Sequence, residues 1–270
     1  MTGTVGRSVE TITGALRAVF TAEQVARREG FLQQRDPRVT LCSIAALALA
    51  VMITRSLALT VFFAALTLLF ARLSAVPLRR LAARSGALTL ASAIVVLPQV
   101  VLHPGTPIAH VFGLAVTDAG LVYVVRFTVR VGTGVALLSV LVMTTTVSSL
   151  VGAMRDLGVP VTVVWVIAIT YRFLFLFFDE LWRLVVARNS RRTGPTGVRE
   201  GWRDAAHLAG SFLLRTLDRG QRVGRGMRAR GGAQPPSPYS RSQRLDRGDY
   251  ALLGVAVAAL VGSGVLQWGL

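Results

Sequence analysis

The chain has 270 residues, 53% of them hydrophobic, with a mean hydropathy of +0.57. Its apolar residues fall in long runs without polar interruption, the pattern of a membrane chain. The net charge is +17, from 30 basic and 13 acidic residues, and every basic residue is an arginine. A P-loop needs a lysine on the nucleotide phosphates, so the sequence carries no standard one and is expected not to hydrolyse ATP by itself. Cys42 is the single cysteine, which excludes a disulfide framework and a cysteine metal cage.

Residues 1–38 read as a polar, arginine-rich cytoplasmic leader without a signal peptide, partly helical between Val9 and Gln34. The first apolar run spans Val39 to Ile53. Thr54-Arg55-Ser56 interrupts it, and a second run continues from Leu57 to Phe70. Two short tilted spans joined at Arg55 fit a hydrocarbon core of about 30 Å better than one very long helix. A third run covers Leu88 to Leu102, after a cluster of Arg72, Arg79, Arg80 and Arg84. His103-Pro104-Gly105-Thr106-Pro107 is rich in turn residues and poor in charge, so it is expected outside. A fourth helix runs from Ala119 to Val147. It carries Arg126 and Arg130 on one face, either snorkelling outward or lining the interior.

The organisation expected is a leader (1–38), four transmembrane helices (39–149), a cytoplasmic region with two long helices (150–249) and a last transmembrane helix (250–270). This is an all-α polytopic membrane protein with about five spans. Residues 161–178 are apolar enough to be a span. A crossing there would put the densest arginine region, Arg183 to Arg247, outside, against the positive-inside rule. They are therefore expected to form the first part of a long helix, 160–190, at the cytoplasmic surface. A polar connector, 191–204, leads to a second long helix, 205–230, ended by Gly231-Gly232. A Pro-rich linker, 234–238, leads to the last span, Tyr250 to Trp268.

The second long helix is two-faced. At 100° per residue, Leu213, Leu217, Gly220, Gly224 and Met227 share one side, and Arg215, Asp218, Arg219, Arg222 and Ala229 the other. A basic amphipathic helix on anionic lipid is one reading of this pattern. The pair Gly220 and Gly224, four apart, instead favours close packing of another helix, which leaves the arginine face to a protein partner. The two long helices end in Ala187-Arg188-Asn189 and Ala229-Arg230-Gly231. An arginine at a helix C-terminus is favourable with the helix dipole, which accounts for either one alone. Two such ends also present a small residue that can enter a groove, and a guanidinium fork for carboxylates or carbonyls.

These tripeptides resemble the Ala-Arg-X motifs that end the two cytoplasmic coupling helices of the T component of energy-coupling-factor transporters. Asp36-Pro37-Arg38 resembles the family's signature before the first span. Leu157-Gly158-Val159-Pro160, with Tyr171-Arg172-Phe173 and Asp179-Glu180, resembles the approach to the first coupling helix. Ser211 to Arg215, Arg222-Val223 and Met227 to Gly231 resemble the second and are nearest the cobalt-type members. Gly224, Arg225 and Gly226 stand where relatives more often have a bulky residue and alanine. The resemblance covers most of residues 36–232. It implies a non-catalytic subunit in the plasma membrane that bridges two ATP-binding cassette ATPases and a substrate-binding membrane S subunit, for cobalt, nickel or a vitamin. Ala187, Arg188, Asn189, Ala229, Arg230 and Gly231 would couple to the ATPases. No cofactor and no metal site is implied.

Other candidates carry less. The side chains of Asp179 and Glu180 diverge by about 100° and cannot act as a catalytic pair; Asp179 is placed to pair with Arg183 at i+4. His103 and His110 sit in the outer loop without a third metal ligand, and His207 is a lone helix histidine. A secondary transporter would need charged or broken helices near the bilayer midplane. A nucleic-acid binder would need stacking aromatics among the arginines, where Trp202 and Tyr239 occur with little besides Phe212; no nucleic-acid partner is expected.

Overall fold

The structure, a computed structural model, describes residues 30–104, 106–111, 114–190, 198–231 and 245–268. The described residues fall into two compact units: one holds those up to Ala153 and from Leu245 on, the other those from Met154 to Gly231.

In the first unit α1 is Pro37–Ile53. Asp36 caps it, its carboxylate accepting the Arg38 N–H at 2.9 Å, and Pro37 takes the first helical position, where no N–H is needed. The helix stops at Thr54, and α2 is Leu57–Leu73. α3 (Leu78–Val96) is followed by Pro98 and a short α4 (Gln99–Leu102). The turn-rich segment then forms an antiparallel hairpin of β1 (Pro107–Val111) and β2 (Leu114–Thr117), the one departure from helix among the described residues. Thr117 caps α5 (Asp118–Thr144), accepting the Gly120 N–H at 3.3 Å. α6 (Val147–Asp156) carries the chain across the division, and α9 (Arg247–Trp268) closes the first unit.

Two apolar layers fix the directions of these helices. Val39 of α1, Ala71 of α2, Leu81 of α3, Val140 and Met143 of α5, and Leu252 of α9 share one core cluster with Leu32 and Val76. Ile44, Leu47 and Val51 meet Phe63, Leu137 and Ala256 in the next. So α1, α3 and α9 start at one end of the unit, and α2 and α5 return to it. Two buried hydroxyls in these layers are satisfied within their own helices: Thr67 donates to the Phe63 carbonyl at 2.7 Å and Thr144 to Val140 at 2.8 Å, whereas Ser43 Oγ, also buried, finds no partner among the described residues.

The common end is sewn together by polar contacts. The Phe31 N–H donates to the Leu73 carbonyl at 3.2 Å, and Gln33 Nε2 to the Ser74 carbonyl at 2.8 Å. Asp249 accepts the Asp246 N–H at 2.9 Å and the Asp36 N–H at 3.4 Å, which joins the starts of α1 and α9. Arg35 pairs with Asp246 at 3.0 Å and lies so close to Gly248 that a Cβ there would meet its guanidinium at 2.2 Å. Residues 31–34 form turns rather than the helix end expected up to Gln34; the rest of that expected helix lies outside the described residues.

At the far end Arg130 faces inward and donates from Nη2 to the Thr54 carbonyl, capping α1. An intramembrane charge is thus used to satisfy a helix end between α1 and α2. Leu78–Leu102, Asp118–Thr144 and Arg247–Gln267 are long and apolar enough to cross a membrane, and so is Val161–Arg188 in the second unit. α1 and α2, at 17 residues each, are shorter, about 25 Å. The chain is a multi-pass, all-α membrane protein.

The second unit pairs two long helices, α7 (Val161–Ser190) and α8 (Val198–Ala229). α8 begins seven residues before the expected start at 205. Glu200 in its first turn complements the helix dipole, and Gly201 does not interrupt it. The helix also continues through Gly224, Arg225 and Gly226.

Candidate functional site

Three contacts align α7 and α8 as antiparallel neighbours. Phe177 and Phe212 meet edge to face, their ring centroids 6.1 Å apart. Glu180 accepts from Arg215 at 2.7 Å. Arg188, in the last turn of α7, turns both terminal nitrogens to Asp204: Nη1 donates to its carbonyl and Nη2 pairs with its carboxylate. Leu208, Phe212, Thr216, Val223 and Met227, half-buried at spacings of four and seven, form the covered stripe of α8.

This stripe lies between the two faces read from the sequence: at 100° per residue Phe212 is 100° from Leu213 and 60° from Arg215, and Met227 belongs both to the stripe and to the apolar side. The sequence pattern assigns helix packing to the side of Leu213, Leu217, Gly220 and Gly224 and leaves the arginine side free. Instead, α7 contacts α8 on the side where Arg215 lies, because Glu180 supplies an acceptor for Arg215 and Phe177 a ring for Phe212. Leu213 and Leu217 are more than half exposed, at 58% and 55%. A Cβ added at Gly220 would meet nothing within 4 Å, and one at Gly224 only the Arg228 side chain at 4.0 Å. Within the unit no helix uses the glycine pair. Beside it lies a groove lined by Leu217, Gly220, Gln221, Gly224, Arg225 and Arg228. The expected Asp179–Arg183 ion pair is not formed; the neighbouring Glu180 takes the interhelical pair with Arg215.

The two tripeptides lie at different ends of the pair. Ala187 is exposed and Arg188 half-buried; the side chain of Asn189 is outside the described residues. Ala229, Arg230 and Gly231 are all exposed. Gly231 has φ +97, the left-handed conformation that glycine adopts without strain, and its N–H donates to the Arg228 carbonyl at 3.2 Å. From Asp204, beside Arg188, to Arg230 the helix rises by about 39 Å over 26 residues. The guanidinium of Arg230 makes no ion pair or hydrogen bond among the described residues.

The cobalt transport protein family CbiQ matches residues 29–240, which takes in both tripeptides, Asp36-Pro37-Arg38 and the whole α7–α8 pair. The chain belongs to this family, that of the T components of energy-coupling-factor transporters. An uncharacterised protein of Methanocaldococcus jannaschii is 25% identical over 231 residues, covering 83% of this chain and 79% of its own. The protein is thus a membrane component of the cobalt transport protein family. Among the described residues no three His, Cys, Asp or Glu side chains gather into a metal site. His103 stacks on Tyr123 with centroids 5.0 Å apart; the side chain of His110 lies outside the described residues.

The ties Arg188–Asp204 and Glu180–Arg215 were not legible from spacing. Their partners are 16 and 35 residues apart on different helices, beyond any i, i+4 rule.

Proposed function

We propose that this chain is the coupling subunit of an ATP-driven importer, passing the movement of two cytoplasmic ATPase subunits to a substrate-binding S subunit in the membrane. The observation that carries this reading is the α7–α8 pair with an Ala-Arg-X end at each extremity, about 39 Å apart by helix rise. That separation suits two ATPases, one on each end. The open Leu213, Leu217, Gly220 and Gly224 face suits a helix of the S subunit, since glycines four apart let backbones approach closely. The chain itself hydrolyses no ATP and binds no substrate. Closure of the ATPases moves the anchored helix ends, and stiff helices carry that movement to the S subunit.

The arginines support an orientation. Arg35, Arg38, Arg72, Arg79, Arg80, Arg84 and Arg247 all lie on the segments that meet at the common end of the first unit. By the positive-inside rule that end is cytoplasmic. Met143, near the end of α5, and Leu252, near the start of α9, lie at that same end of the first unit. An even number of crossings therefore lies between, and α8 lacks the apolarity of a span. This supports α7 lying wholly on the cytoplasmic side, although its apolar length would suffice to cross.

The deciding experiment is co-purification with the ATPase subunits. Truncating a buried, hydrogen-bonded interfacial arginine costs about 2–5 kcal/mol. Arg188→Ala and Arg230→Ala should each weaken ATPase binding, and together nearly abolish it. Lysine should rescue only in part, because an ammonium lacks the planar fork. Arg244→Ala, outside the described residues, serves as control. If Arg188→Ala and Arg230→Ala match that control in folded protein, the arginines serve only their own helix ends.

A further inference from the structure

The two arginines are not in the same chemical state. Arg188 has spent both terminal nitrogens on one residue, Asp204, whose carboxylate neutralises its charge. Its side chain is 25% exposed. Arg230 stands exposed just beyond the end of α8, and no carboxylate among the described residues pairs with it. Yet the two end alike in sequence, each after an alanine.

We propose that Asp204 is a positioning residue for Arg188, so that the two ATPase contacts differ in kind. This rests on the coupling reading above. At the end of α7 the guanidinium is held in place and its charge already met. It has N–H groups left, on Nε and on each terminal nitrogen, but a second carboxylate would add to a site that already holds one. The partner that fits is a neutral acceptor, a backbone carbonyl or a side-chain amide. At the end of α8 the guanidinium has no ion pair among the described residues, and the partner that fits is a carboxylate. The first contact is pre-organised and short-ranged. The second is the one that feels ionic strength, because a free charge pair is screened by salt and a neutralised one is not.

The prediction separates cleanly in a salt titration. The full chain in nanodiscs is titrated with its own purified ATPase pair at several salt concentrations. Arg230→Ala should lower affinity about tenfold or more at low salt and flatten the salt dependence. Arg188→Ala combined with Asp204→Asn, which removes both charges of the pair, should lower affinity by a similar factor at every salt concentration, leaving the slope as in wild type. Asp204→Asn, which keeps an acceptor but frees the charge of Arg188, should make the slope steeper than wild type, and Asp204→Glu should restore it. A simple helix brace would weaken binding without steepening it. If Asp204→Asn does not fold, the reversed pair Arg188→Asp with Asp204→Arg replaces it. That variant should keep the helices joined and lose affinity at unchanged slope. Flattening by the Arg188→Ala, Asp204→Asn double variant equal to that of Arg230→Ala, a flattened slope in the reversed pair, or a wild-type slope in a folded Asp204→Asn overturns the proposal. A wild-type chain that binds no ATPase at all overturns the coupling reading, and the asymmetry with it.

Discussion

Asp249 should be worth more to the membrane unit than any other single carboxylate at its arginine-rich end. It is buried, with 4% of its surface exposed, and accepts the Asp246 N–H at 2.9 Å and the Asp36 N–H at 3.4 Å. Asp249→Ala orphans the buried Asp36 N–H, whereas Asp246 is exposed and water can replace its bond. An orphaned buried N–H costs about 1–3 kcal/mol, and a bond of 3.4 Å belongs in the lower half of that range, about 1–2 kcal/mol. At roughly 2 °C per kcal/mol for a chain of this size, the midpoint of thermal unfolding should fall by about 2–4 °C. Asp246→Asn is the comparison: it keeps a capping acceptor and loses an ion pair whose carboxylate is 73% exposed, which solvent screens. Thermal unfolding in one detergent, followed by circular dichroism, reads both. The reasoning fails if Asp246→Asn destabilises more than Asp249→Ala, for then the surface pair with Arg35 is what joins α1 to α9.

Four further outcomes follow from the same structure. Hydrogen bonds from the Arg247 N–H and then from Arg35 hold the Asp246 carboxyl below its ordinary range; its contribution should therefore be present above the usual aspartate pKa and be lost as pH falls through the depressed one, a loss that Asp246→Asn should remove from an acid titration of stability. Gly220→Leu should leave the isolated chain folded, because nothing lies within 4 Å of that position, yet block assembly with the S subunit in a co-purification assay. Phe212→Ala should cost about 3 kcal/mol or less, since the ring is only half-buried against Phe177, and should loosen α7 from α8, read as faster hydrogen exchange in α8. Cysteines placed at 155 and 195, with Cys42 replaced, should be labelled from the same side of the membrane; labelling from opposite sides would show that α7 crosses.

The apolar runs made the membrane helices visible, because a span must be apolar over its whole length and needs no knowledge of its neighbours. Asp36-Pro37 was legible for a similar reason: a cap acts within four residues. The start of α3 was obscured by Arg79, Arg80 and Arg84, which are tolerated on a helix whose first turns leave those side chains exposed. The start of α8 was hidden by Gly201, which lowers helix propensity locally while the long helix around it holds. The tripeptides could be read as a pattern, but not their states. Whether Arg188 is free or held depends on Asp204, which reaches it only because Phe177 on Phe212 and Glu180 on Arg215 set the register of two helices. Within the unit the covered stripe of α8 is displaced by about a quarter turn from the apolar side that periodicity picks out, because periodicity weighs apolarity and cannot see that Phe177 and Glu180 face Phe212 and Arg215.

The position of that carboxylate bears on how force could pass through the pair. A lever needs its two arms joined more firmly than either is joined to what it moves. Here α7 and α8 are joined by an aromatic contact and two charge pairs between Phe177–Arg188 and Asp204–Arg215, and the open Leu213–Gly224 face takes no part in that join. Had the glycine face been used to pack α7, the surface able to receive a membrane helix closely would have been consumed inside the subunit. By joining through Phe212 and Arg215 the chain keeps Gly220 uncovered within the unit and an arginine-bearing helix end at each extremity of the pair. Arg215 ties the arms, while Arg230, about 22 Å farther along by helix rise, makes no ion pair among the described residues.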